Sequence, residues 1–274
     1  MNKKFIIAVL IVISLTAMSN IASATKQTTL GFIFMGDDGP FTEPALEFAL
    51  RDFDTVELSR DDLTDVDLSQ FAVLWWHEGD SDPGALSDGE IQAFLDYAES
   101  GGAILLTGWA IRYATPMGLE DVEARQFGPV EDDGSNVGLI LLEEWMDTPL
   151  LWDDLSNLEG DPPQAGDKVQ VNSTGYPKSG DYFDNIWQNF INVAHVWEGD
   201  TDYADRIAAF GYWEAGSGKV FNMNWRLPNF HENNEDIEML EILTENVIEW
   251  LASESAYLAV NPSAKMATTW GNIK

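Results

Sequence analysis

Side chains that could do chemistry follow closely on several short apolar runs of this 274-residue sequence. Asp37 and Asp38 come after the run that starts at Leu30, His77 and Glu78 after Phe71–Trp76, and Trp109 and Arg112 after Ala103–Thr107. Asn224, Trp225 and Arg226 close a late run that starts at Val220, and His231 follows shortly. Gathered at one edge, these residues would suit a carbohydrate or another small polar ligand: flat indoles cover the apolar face of a ring, while Asp38, Asn224, Arg112 and Arg226 pair with hydroxyls. The same set allows an alternative, acid–base hydrolysis through His77, Glu78 or Asp37, though paired acids alone discriminate nothing among 47 of them. His77 and His231 with Asp37 or Glu78 could also ligate a metal, but the two histidines stand far apart in sequence and no metal site is assigned. Calcium is the cofactor left open, because Asp80-Ser81-Asp82 and Asp132-Asp133-Gly134-Ser135-Asn136 are oxygen-rich. Neither has the spacing of an EF-hand, and both read first as solvated turns. Trp75, inside its run, reads as core, whereas Trp109 and Trp225 stand equally between site and core.

The elements needed to hold such a site are legible from periodicity. Leu30–Gly36 and Phe71–Trp76 read as buried strands, and Thr55–Leu58, Ala103–Thr107 and Val220–Asn224 as further strands. Between the first two, Ala45, Leu46, Phe48, Ala49 and Leu50 mark a helix over Thr42–Arg51. Ser87-Asp88-Gly89-Glu90 is a capping box that opens a second helix with Ile91, Phe94, Leu95 and Ala98 on one face, ending at Gly101-Gly102. A third helix spans about Glu235 to Ala252 and buries Leu240, Leu243, Val247, Ile248 and Leu251. Strand–helix–strand units need right-handed crossovers, so the expected fold is α/β, a mostly parallel sheet with helices on both faces. Ligands then bind beyond the carboxyl ends of the strands. Residues 119–215 read as an irregular insertion with extra strands on the same domain, and Gly216-Ser217-Gly218 as a hairpin turn. No Walker-type phosphate loop is present, and 253–274 reads as a tail.

Met1-Asn2-Lys3-Lys4, an apolar core from Phe5 to Leu15 and Ala22-Ser23-Ala24 have the three parts of a secretory signal, with cleavage expected after Ala24. The expectation is therefore an exported chain, periplasmic or extracellular, with a single domain over 25–252 and no membrane insertion after cleavage. Its net charge of −33 repels phosphate backbones and anionic lipid surfaces, so nucleic acid is a poor partner. Acidity at this level reads as a hydrated surface suited to a salty medium before it reads as a specific cation site. With no cysteine there are no disulfides and no thiol mechanism, and the 11 Trp, 14 Phe and 7 Tyr must supply the core.

Two stretches resemble the class I glutamine amidotransferase-like superfamily, and within it the ThuA-like and related extracytoplasmic proteins found beside carbohydrate-degrading systems. One is Phe71–Gly118, with SDGEIQAFLDYAESGGAILLTG followed by Tyr113-Ala114 and Gly118; the other is Gly211–Leu251, with GSGKVFNMNW and a helix ending NVIEWL. The resemblance implies the flavodoxin-like, amidotransferase-like α/β fold. It also implies a nucleophilic cysteine in a G-x-C-x-G turn after the fourth strand, where this sequence has Gly108-Trp109-Ala110-Ile111-Arg112 and Ala110 takes the nucleophile position. The ThuA-like group tends to carry a histidine after the late strand, where this sequence has Asn224-Trp225. The leading expectation is a non-catalytic binding or interaction protein on this scaffold, carbohydrate-associated. The alternatives are a carbohydrate-processing enzyme and an acidic calcium-binding surface protein. Oligomeric state is not legible.

Overall fold

Apolar runs with little polar interruption form strands buried on both faces, as Val73–Glu78 and Ala103–Gly108 do, while Asp54–Leu58 at the sheet edge is largely exposed. The computed structural model describes residues 28–33, 42–60, 62–78, 86–126, 134–175, 181–182, 187–204 and 207–257. Strands β1 (Thr29–Ile33), β2 (Asp54–Leu58), β3 (Val73–Glu78) and β4 (Ala103–Gly108) pair in parallel in the order β2-β1-β3-β4. β13 (Gly218–Met223) continues the parallel set beside β4, and β12 (Phe210–Ala215) and β9 (Ile191–Asn192) complete a seven-stranded sheet through antiparallel pairings. The chain runs outward from β1 to β2 and then returns to the other side of β1, so the order reverses between β1 and β3. In open α/β sheets such a reversal is where ligands bind beyond the carboxyl ends of the strands.

Helix α1 (Thr42–Asp52) and helix α3 (Ile237–Glu254) cover one face, and α2 (Asp88–Glu99) covers the other. Alternation along β3 shows the division: Trp75 joins the core under α1 and α3, and Trp76 joins the core under α2. The mostly parallel sheet with helices on both faces is the architecture the sequence pattern predicts. Among the described residues no helix is long and apolar enough to cross a membrane.

The middle segment supplies a second, antiparallel sheet in the order β11-β10-β6-β7, formed by β6 (Val137–Leu141), β7 (Lys168–Asn172), β10 (Ala194–Glu198) and β11 (Thr201–Asp202). Its inward residues Leu139, Val169, Val171 and Val196 pack into the same core as α3. A two-stranded ribbon pairs β5 (Arg125–Gln126) with β8 (Asp181–Tyr182). The stretch read as insertion up to residue 215 therefore includes β9 and β12, which belong to the large sheet. They do so because Gly216, at φ 61°, turns a tight hairpin in which Ala215 faces Gly218.

The box at α2 forms as the sequence indicates. Ser87 Oγ accepts from Glu90 N at 3.3 Å, and Glu90 Oε2 accepts from Ser87 N at 2.6 Å. Arg60 also pairs with the Glu90 carboxylate, its second guanidinium nitrogen lying 2.9 Å from Oε2. The Arg60 hydrogen bond, helped by Ser87 and opposed by burial, holds the Glu90 carboxyl down at about 2. A depressed carboxylate stabilises the fold above its unfolded value and loses that contribution as pH falls through the folded one. We expect E90Q, which retains a capping side chain, to be less stable than the parent at pH 7, with a gap that closes as pH falls from about 4.5 toward about 2. Urea midpoints measured along that pH series check it; a gap that stays constant to pH 2 contradicts it.

Candidate functional site

Where β4 ends, the backbone turns sharply at Gly108 (φ 67°, ψ −133°) into a 3-10 helix over Trp109–Ala114. Gly108 pairs with Glu78 across the β3–β4 ladder, and a Cβ built on it would lie 2.0 Å from the Glu78 carbonyl oxygen. Only glycine fits there. Ala110 and Ile111 are fully buried, while Trp109 and Arg112 are half-buried and packed on each other, the guanidinium carbon 4.9 Å from the indole centroid.

His77 and Glu78 do not follow β3 but form its last two residues, and both are buried. Neighbours on a strand face opposite ways. His77 lies on the Trp75 side, edge-on to Trp75 at 6.1 Å and to Phe230 at 5.7 Å, so Glu78 faces the other layer. The two cannot serve one reacting centre as an acid and base on the same side of the sheet. Thr107 Oγ1 accepts from Trp75 Nε1 at 2.8 Å and lies 2.8 Å from His77 Nδ1, which fixes the orientation of the imidazole.

The residues after β13 are turned inward. Asn224 and Arg226 are almost wholly buried, and Trp225 is 7 % exposed with φ 63°, a left-handed conformation uncommon for a bulky residue. Asn224 Oδ1 accepts from the Trp225 amide at 2.6 Å. Glu198, at the end of β10 in the second sheet, accepts from Trp225 Nε1 at 3.0 Å and pairs with Arg226 at 2.9 Å. One carboxylate thus ties both residues to the second sheet. Beyond them the chain is stitched to β7 by three buried asparagines. Asn172 Nδ2 donates to the Arg226 carbonyl at 2.6 Å, Asn229 Nδ2 donates to Asn172 Oδ1 at 3.1 Å, and Asn234 Nδ2 donates to the Val171 carbonyl at 2.9 Å. Asn224, Trp225 and Arg226, read from sequence as rim residues, are buried here, and Glu198 of the second sheet engages the last two.

Asn233 N donates to His231 Nδ1 at 3.1 Å, and His231 lines a cleft of ≈ 430 Å³ between α1 and the start of α3. Asp37 and Asp38 lie outside the described residues, as do Asp80-Ser81-Asp82 and Asp132-Asp133. Gly134 and Asn136 line a separate polar cleft of ≈ 530 Å³ with Gln170, Ser173 and Asp236. Among the described residues no group of three acidic or histidine side chains is placed to hold a metal ion. Sequence reasoning missed Thr107, Glu198, Asn172, Asn229 and Asn234. The crowding of asparagine between 222 and 234 was the available signal.

Three solved structures superpose on this arrangement. A ThuA-like protein from Parabacteroides merdae does so with TM-score 0.50 and 11 % identity, over 84 % of this chain and 92 % of that one. The N-terminal domain of mmIFT52 gives TM-score 0.51 and 14 % identity over 82 % and 97 %. PurLQS from Thermotoga maritima gives 0.49 and 16 % over 81 % and 98 %. The chain has a class I glutamine amidotransferase-like fold. No protein-family model and no curated protein matches its sequence. Ala110, which the sequence resemblance places at the nucleophile position, lies in the 3-10 helix that follows Gly108 and is fully buried.

Proposed function

We propose that this chain is an exported binding or interaction protein, periplasmic or extracellular, that keeps the amidotransferase-like scaffold and does not use it for glutamine hydrolysis. The observation that carries the reading is the turn after β4. Its strained residue is a glycine whose Cβ position is occupied by the Glu78 carbonyl oxygen, so no side chain can be raised there. The neighbouring polar groups support the same reading. Arg226 and Trp225 are engaged by Glu198, and His77 is enclosed beneath Phe230.

The ligand class we assign is a carbohydrate or another small polar molecule. Trp109 and Arg112 form a half-buried aromatic and cationic pair just after that turn, and the indole gives a sugar ring a stacking face. A glycan array probed with the chain lacking residues 1–24 tests this. A bound glycan whose affinity falls about tenfold or more in Trp109→Ala supports the site. Binding unchanged in that variant removes Trp109 from it, and the absence of any bound glycan removes the carbohydrate class. Export has its own test: expression of the full sequence in a bacterial host should deliver a chain outside the cytoplasm that begins at Thr25. A cytoplasmic chain that retains Met1 would contradict the assignment.

A further inference from the structure

We draw no further inference here: the strongest candidate, the polar cleft between β7 and the start of α3, has its side chains Gln170, Ser173, Thr174 and Asp236 already hydrogen-bonded to one another or to Asn172 and Asn234, and nothing among the described residues points to a ligand that would fill it.

Discussion

Gly108→Ala should destabilise the protein by at least about 3 kcal/mol, the largest loss expected from adding a single methyl group to the described chain. Two costs add at this position. The backbone stands at φ 67° and ψ −133°, in a region that side chains other than glycine occupy at a cost of roughly 1–3 kcal/mol. The new Cβ would also lie 2.0 Å from the Glu78 carbonyl oxygen, a backbone atom in a parallel ladder that cannot swing away. Gly118→Ala separates the two costs, because Gly118 has φ 69° with nothing within 4 Å of the added carbon. That variant should lose only about 1–2 kcal/mol. For a domain of this size 3 kcal/mol lowers the melting midpoint by roughly 6–12 °C, or prevents accumulation of folded protein where the starting margin is small. If Gly108→Ala melts within 2 °C of Gly118→Ala, the overlap with Glu78 is not real. Gly108→Cys should suffer the same loss and release no ammonia from glutamine, since a thiol cannot be seated where a methyl group does not fit.

Glu198→Ala should cost up to about 3–5 kcal/mol, because it takes one carboxylate partner from an Arg226 guanidinium whose side chain is 2 % exposed. The same change removes the acceptor for Trp225 Nε1, which helps to hold a left-handed backbone that costs on the order of 1 kcal/mol by itself. Glu198→Gln keeps an oxygen for the indole and for one guanidinium hydrogen bond, and should fall between the parent and the alanine variant. The double variant Glu198→Leu/Arg226→Met, which removes both charges together, should recover most of the loss. A double-mutant cycle on urea melting then gives a coupling well above the roughly 0.5 kcal/mol seen between independent sites. Simple additivity would show that Glu198 and Arg226 act separately, and that the second sheet is held to the β13 end by other contacts. Because Glu198 belongs to β10, a large coupling would also make the two sheets one cooperative unit.

These two positions show why the fold is easier to read than the site. The capping box at Ser87–Glu90, the hairpin glycine at 216 and the alternation of apolar residues are local signals that need only a few neighbouring residues. Strand β3 carries a local signal too: His77 and Glu78, being adjacent on a strand, have to face opposite layers. The burial of Asn224, Trp225 and Arg226 has no such signature. Each follows a strand, where open loops usually stand, yet Glu198 of the second sheet reaches Trp225 and Arg226 there. Asn172 and Arg226, or Glu198 and Trp225, meet through packing of one sheet on another, and no spacing in the sequence encodes that contact.

What the sequence determined by itself is the class of the molecule: an acidic α/β chain with no thiol, parallel strands accompanied by three amphipathic helices, and a turn at the glycine that ends AILLTG. The tertiary structure alone decided that the residue at positive φ in that turn is Gly108, that its side-chain space is filled by Glu78, and that Glu198 of the second sheet reaches Trp225 and Arg226. Periodicity and caps arise from contacts within a turn or two of chain, so composition and spacing specify them. Which side chains converge depends on how distant elements pack, and that is fixed only when the whole core closes.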